Sequence, residues 1–269
     1  MEHARRTPPA QIAFASAMIA LGVLGFIYGD VALVWQHLPV ANLPGEKPIA
    51  YLFAAIELAG GLGLLWRGTH RQAGWLLLVF LLIWAVLLKM PAVVAVPRME
   101  ATWLGLGEIT VMLAGAWALL AFGSGRTHRG GFAGQRGIQG ARVLFALSLP
   151  MIGLSHFFYS EQTLALVPAW LPYRLGWAYL TGAGSLAACA GVLLGVYPRL
   201  AALLEAAMLG TITVLVWVPA VVAAPTDRTA WTALAISAGI ASGAWLVAET
   251  YRHVPLTALG RRAVASPAL

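Results

Sequence analysis

The chain has 269 residues, of which 60% are hydrophobic and only 10% charged, with a formal net charge of +7 and a mean hydropathy of +0.81. Because soluble globular domains carry about 25% charged residues, this composition excludes an ordinary soluble enzyme and predicts a membrane protein. The single cysteine, Cys189, excludes an intrachain disulfide bond and a CxxC redox motif.

Apolar stretches long enough to cross a hydrocarbon core of ~30 Å recur along the whole chain. They are continuous and do not alternate in polarity, which favours helices over a β-barrel. The expected fold class is an all-α membrane protein with eight transmembrane helices. Because no cleavage site follows the short polar start, we expect the first helix to be retained. The predicted spans are residues 12–36, 49–66, 73–96, 102–122, 141–161, 175–195, 200–224 and 230–249.

Basic residues are distributed unequally between the two sides that this topology defines. Most arginines lie at the two termini and in the loops 67–72, 123–140 and 196–199. An excess of Lys and Arg marks the cytoplasmic side, so both termini are predicted to be cytoplasmic. The positive charge is thus explained by orientation in a lipid bilayer, and a nucleic-acid partner is not expected. The opposite loops hold only Lys47, Arg98, Arg174 and Arg228.

Two segments of the chain repeat one phrase: "KMPAVVAVPRMEATW" at 89–103 and "WVPAVVAAPTDRTAW" at 217–231. The offset between them continues at other positions without a gap, which indicates an internal duplication. Because each copy has an even number of spans, the copies should enter the membrane in the same orientation. We expect Pro91 and Pro219 to kink their helices. The predicted units are a four-helix bundle at 11–122, a basic cytoplasmic linker at 123–140, a second four-helix bundle at 141–250 and a cytoplasmic tail at 251–269.

Three short motifs in the second copy carry a family resemblance: "GLSHFF" at 153–158, "VPAWLP" at 167–172 and "WAYLTGAG" at 177–184. They resemble the DoxX-like family of bacterial inner-membrane proteins, which is built on a four-helix membrane unit. The resemblance implies a bacterial inner (plasma) membrane location and a role in quinone-linked or other membrane redox systems. The family's Glu of the second helix corresponds to Glu57, and its His of the first helix to His156. Each copy keeps only part of this polar set, which implies that the two copies share one site.

Ionisable side chains within the predicted spans define the candidate site. A charged group in hydrocarbon is costly and normally faces protein or water, so we expect the acids to gather around the lysine at similar depth. With three carboxyls to one ammonium, at least one acid is expected to be protonated and able to exchange protons with a quinol or a file of water. In the alternative interpretation, Lys89 and Glu108 extend to the outer interface and Asp30 hydrogen-bonds a neighbouring helix, so that all three have a structural role only. The candidate cluster consists of Asp30, Glu57, Lys89 and Glu108, with Tyr28 beside it; the corresponding positions in the second copy, Phe158, Ser185, Trp217 and Ile236, are not ionisable.

Two further polar residues receive structural interpretations first. His156 is a secondary site candidate, expected to bond a backbone carbonyl, Tyr159 or Ser160. Haem ligation is not expected, because the other histidines lie near loops or chain ends. Glu205 is expected near the cytoplasmic face, paired close to Arg199. No metal site is predicted.

Three functions stay open at this stage. The first is a membrane subunit of a redox system, with quinone as its candidate cofactor and a redox protein as its candidate partner. The second is a small-solute or proton-coupled transporter, since intramembrane acids and a parallel duplication suit carriers as well. The third is a structural or assembly protein without a substrate. The sequence has no Walker loop, HExxH motif or nucleophile elbow, which argues against a self-contained enzyme.

Overall fold

The computed structural model describes residues 7–31, 45–123 and 132–260, and within these ranges the chain forms helices and no β-strand. Eight of the helices are long and apolar enough to cross a membrane. The predicted all-α, multi-pass architecture is therefore confirmed at this level. We number these helices as spans 1 to 8: Pro9–Tyr28, Glu46–Leu65, His70–Ala95, Glu100–Gly123, Gln135–Phe158, Arg174–Leu194, Pro198–Ala223 and Arg228–Glu249. A short helix, Ser160–Leu166, follows span 5.

Several predicted boundaries are wrong. Span 1 ends at Tyr28 and does not continue to residue 36, because Gly29 adopts a left-handed conformation (φ 61°) and its N–H caps Gly25. Span 5 begins at Gln135, so residues 135–140 of the predicted linker 123–140 are helical. Residues 124–131 of that linker, and 261–269 of the predicted tail, lie outside the described residues.

Spans 3 and 7 each contain one π-helical turn, at Ala85–Lys89 and Thr213–Trp217. Each turn comes just before a proline, Pro91 or Pro219, which lacks an N–H and clashes with the carbonyl one turn earlier. The helix accommodates this by widening: the Met90 N–H bonds to the carbonyl of Ala85, five residues back. In both spans, therefore, the proline is accommodated by a π-helical turn.

The same spans end in the same way. Their helices stop at Ala95 and Ala223, shortly before Pro97 and Pro225, as expected for residues that precede a proline. The indole N–H of Trp103 then bonds to the Pro97 carbonyl at 2.9 Å, and that of Trp231 bonds to the Pro225 carbonyl at 2.8 Å.

Spans 4 and 8 form the centre of the molecule and are the most buried of the eight. They meet at Gly115 and Gly243, where a methyl group added to Gly115 would lie 2.5 Å from the Gly243 Cα. Span 1 packs against spans 2 and 8, while span 5 packs against spans 4 and 6. The helices therefore form two rings of five, 8-1-2-3-4 and 4-5-6-7-8, which share the central pair.

Because the eight spans alternate in direction, the start of span 1 and the end of span 8 lie at one face of the molecule, which we call the terminal face, opposite the distal face. At the terminal face, Arg142 near the start of span 5 is buried, 8% exposed. Its Nε donates to Thr250 Oγ1 at 2.8 Å, and its guanidinium lies 3.7 Å from the centre of the Tyr251 ring. Burial raises the pKa of Tyr251 to about 12, with the Arg142 charge acting in the opposite direction. These contacts fasten span 5 to the end of span 8.

Candidate functional site

A cavity inside the first ring brings three of the predicted site residues together: Glu57 from span 2, Lys89 from span 3 and Glu108 from span 4. It offers about 40 Å³ to the centres of water molecules. At roughly 10–15 Å³ per water, that is room for about three or four molecules. The remaining walls are mainly apolar: Met18, Leu21, Phe80, Leu81, Trp84, Gly105, Ile109, Met112 and Ile236.

Glu57 is the most deeply placed carboxyl of this cavity. It lies about 16 Å along span 2 from Glu46, at 1.5 Å per residue, and only 7% of it is exposed. Close helix packing holds it there, because Gly22 and Gly61 allow spans 1 and 2 to approach almost to backbone contact. Within the described part of the chain, Glu57 has neither a hydrogen-bond partner nor an ion-pair partner.

Lys89 and Glu108 form the charged wall opposite. Lys89 is the last residue of the π-helical turn of span 3 and is 7% exposed. Glu108 is partly buried on span 4, and its carboxylate is the charge that acts on the Lys89 ammonium. An ammonium in hydrocarbon costs at least ~2.5 kcal/mol by insertion scales, so this opposite charge accounts for its presence there. The Lys89 ammonium therefore has the opposite charge of Glu108 near it, as the sequence predicted.

Asp30 and Tyr28 lie elsewhere than the sequence suggested. Asp30 is beyond the end of span 1, is about one-third exposed and forms an ion pair with Arg228, the first residue of span 8. The Arg228 guanidinium also lies 5.4 Å from the centre of the Tyr28 ring. The partner of Asp30 is thus Arg228 and not Lys89, and Tyr28 belongs to this distal contact and not to the cavity wall.

A second, smaller cavity connects the two groups of charges. It is lined by both Asp30 and Glu57, and it offers about 10 Å³, room for about one water molecule. Leu21 and Trp84 line both cavities together with Glu57. Glu57 therefore lies between a water-sized space that reaches Asp30 at the distal face and the larger cavity that contains Lys89.

The second ring contains a buried carboxyl that the sequence reasoning missed. Glu205 of span 7 is only 2% exposed, and it accepts a hydrogen bond of 2.8 Å from Ser185 of span 6. The expectation that Glu205 extends towards the cytoplasmic face and is paired close to Arg199 is wrong, since Glu205 is buried against Ser185 and Arg199 bonds to the Val254 carbonyl. The sequence does contain a signal for this contact. Ser185 is the second-copy equivalent of Glu57, so a polar residue at this position indicates a polar partner on a neighbouring span.

His156 also has a different partner from those expected. Its Nδ1 lies 3.1 Å from Thr181 Oγ1 of span 6. This contact satisfies the imidazole inside the second ring of helices, and it explains His156 without a catalytic role.

The site has no metal-binding arrangement and little space for an organic cofactor. In residues 7–31, 45–123 and 132–260, no group of three or more His, Cys, Asp or Glu side chains could hold a metal ion. A cavity of about 150 Å³ is known to bind a benzene ring, whereas the site offers about 40 Å³. A quinone ring thus does not fit unless the helices move apart.

Comparison with known proteins gives one match. A family model described as a domain of unknown function, DUF8561, matches residues 145–248, which extend from span 5 almost to the end of span 8. No curated protein and no solved structure matches the chain. The resemblance to the DoxX-like family stays a prediction.

Proposed function

We propose that this protein is a proton-coupled membrane transporter whose proton-binding site is Glu57, with Lys89 and Glu108 as its charged partners. The observation that carries the proposal is the position of Glu57: a buried carboxyl with no protein partner in the described residues, lining two water-sized cavities. A carboxylate left alone in such a place costs several kcal/mol, so the carboxyl takes up a proton.

The charges around the larger cavity explain how the proton is released again. Glu108 and Lys89 oppose each other, so their charges largely cancel while Glu57 is protonated. When Glu57 loses its proton, its negative charge lies on the same cavity as the Lys89 ammonium, which partly compensates it. Water in the cavity supplies the hydrogen-bonded path between the groups, since a proton cannot jump between side chains that are not in contact.

The redox function implied by the DoxX-like resemblance remains a proposal of lower rank. A quinone-linked subunit needs space for a quinone ring and a surface for its redox partner. The cavity beside Glu57 is too small for such a ring. The third function, a structural or assembly protein, gives no role to the cavity that Glu57, Lys89 and Glu108 share.

We also infer that the chain consists of two parallel four-helix units in the bacterial inner membrane, with both termini in the cytoplasm. Features at equivalent positions of the two copies support the duplication: the π-helical turns end at Lys89 and Trp217, and Trp103 and Trp231 make the same bond. Gly115 and Gly243 face each other at the centre, as equivalent positions do at a pseudo-twofold axis. The basic terminal face supports the orientation.

Infrared spectroscopy of the protein in lipid vesicles tests the proton site directly, because a protonated carboxyl has its own C=O band. We expect Glu57→Gln to remove one such band and to abolish proton uptake into vesicles that contain a pH-sensitive dye. Lys89→Gln should keep the band but slow the uptake, since the compensating charge is lost.

Glu205→Gln is the matched control, because Glu205 is equally buried but already bonded to Ser185. It should remove a different band and leave proton uptake unchanged. The proposal fails if wild-type vesicles take up no more protons than empty ones, or if Glu57→Gln and Glu205→Gln have the same effect on uptake.

A further inference from the structure

The ion pair at the distal face stands between the outside and the proton site, and its geometry suggests a role. Asp30 follows span 1, whereas Arg228 begins span 8, so the pair joins elements 198 residues apart in the chain. Tyr28 adds an aromatic face under the same guanidinium. Nothing in the stability of either helix end requires this connection, because Gly29 caps span 1 and Asp227 caps span 8 through the Thr229 N–H.

Asp30 also lines the small cavity whose other polar wall is Glu57. Asp30 and Glu57 are therefore two polar walls of one water-sized space, with Asp30 on its distal side. While Asp30 is held by Arg228, spans 1 and 8 are tied together on the distal side of that space. When the pair separates, the Asp30 carboxylate is free to turn away from Arg228, while the packing of spans 1 and 8 stays in place.

We propose that the Asp30–Arg228 ion pair is the distal gate of the Glu57 site, closing the path of water and protons while it is formed. This inference rests on the proposed function, since a gate has meaning only where Glu57 exchanges protons. Arg228, the first residue of span 8, is in this proposal a positioning residue. It holds Asp30 and lines neither the larger cavity nor the smaller one.

The size of the effect follows from the exposure of the pair. The side chains of Arg228 and Asp30 are 38% and 36% exposed, so the attraction between them is screened by solvent and the gate opens often. Removing either charge should therefore speed access to Glu57 by about fivefold and not by orders of magnitude, as is typical of such pairs.

Hydrogen–deuterium exchange of the Glu57 carboxyl measures access to the site. The full-length protein in lipid films is transferred from H₂O to D₂O, and the shift of the C=O band that Glu57→Gln removes is followed in time. We expect Asp30→Asn and Arg228→Gln each to exchange about fivefold faster than wild type. The charge-swapped double variant, Asp30→Arg with Arg228→Asp, should return towards the wild-type rate.

Glu161→Gln is the matched control, because it removes another acid from an exposed position on the distal side. It should leave the exchange rate unchanged. Wild-type rates in both Asp30→Asn and Arg228→Gln, or slower ones, would overturn the gate while leaving the proton site in place. If wild type has no C=O band that depends on Glu57, both proposals fail, so the two failures are distinguishable.

Discussion

The contact between Gly115 and Gly243 allows a quantitative prediction about the centre of the molecule. Carbon atoms pack at about 3.5–4.0 Å, whereas a methyl group at Gly115 would meet the Gly243 Cα at 2.5 Å and its carbonyl oxygen at 2.8 Å. Both neighbours are backbone atoms, so no side chain can rotate away. Spans 4 and 8 would have to separate by about 1 Å, which opens gaps along the most buried contact in the structure.

We expect Gly115→Ala to lower the free energy of unfolding by about 1–3 kcal/mol, the usual cost of overpacking. Gly210→Ala is the matched control, since Gly210 lies within helix Pro198–Ile212 and has nothing within 4 Å of an added methyl group. The alanine there should stabilise span 7 by about 0.5–1 kcal/mol through backbone entropy alone. Gly243→Ala should fall between the two, because its nearest neighbour would be 3.0 Å away.

Unfolding in mixed micelles, followed by circular dichroism, measures these differences in one series. The free energies of unfolding of Gly115→Ala and Gly210→Ala should differ by about 1.5–4 kcal/mol. If Gly115→Ala is as stable as Gly210→Ala, spans 4 and 8 do not meet at these glycines. The reasoning about the central pair would then be refuted, together with the pseudo-twofold axis proposed from it.

The remaining predictions concern buried polar contacts and use the same unfolding assay unless stated. Ser185→Ala leaves the Glu205 carboxyl without its donor and should cost about 1–3 kcal/mol. Arg142→Met loses the hydrogen bonds to Thr250 and the contact with the Tyr251 ring, at about 2–4 kcal/mol, with Arg142→Lys between it and wild type. In an ultraviolet titration, the component at about pH 12 should vanish in Tyr251→Phe, because burial disfavours the phenolate.

Much of the fold was accessible from sequence because the hydrocarbon core imposes a simple rule on length and polarity. The eight apolar stretches met that rule, and each is a helix in the structure. The meeting of Glu57, Lys89 and Glu108 was also predictable, since charges that share a depth in the membrane are stabilised by each other and by little else. Their similar depth is enough for this prediction, whatever the order of the helices around the ring.

The positions of some polar residues depend on partners that are far away in the chain, and these could not be predicted from the sequence. Asp30 followed an apolar run and was counted with it, although Gly29 before it is a typical helix terminator. Its partner, Arg228, lies 198 residues away, and no periodicity in the sequence connects them. The partners of Arg142 were not predicted for a related reason, because Thr250, which is 108 residues away, and Tyr251 follow the last span.

The two halves differ in how they accommodate a carboxyl between their second and third spans. In the second half, Glu205 comes from the third of these spans, and the Ser185 hydroxyl bonds to it. In the first half, the equivalent positions hold the reverse pair, Leu77 and Glu57, so the carboxyl comes from the second span and meets no donor among the described residues.

The same helix arrangement thus holds two buried carboxyls in different surroundings: Glu205 is bonded to a hydroxyl, whereas Glu57 faces a cavity. A buried carboxyl that accepts a hydrogen bond from a hydroxyl, as Glu205 does from Ser185, is satisfied by the protein without water. A buried carboxyl that faces a cavity must be satisfied by water, and water is also the medium that carries a proton to and from it. Lys89, with Glu108 as its opposite charge, lies in the half whose buried carboxyl faces a cavity, whereas Trp217 occupies the corresponding position of the other half. In the proposed proton cycle, the Lys89 ammonium also compensates the carboxylate that forms when Glu57 releases its proton, a role that the bonded pair of Ser185 and Glu205 does not require.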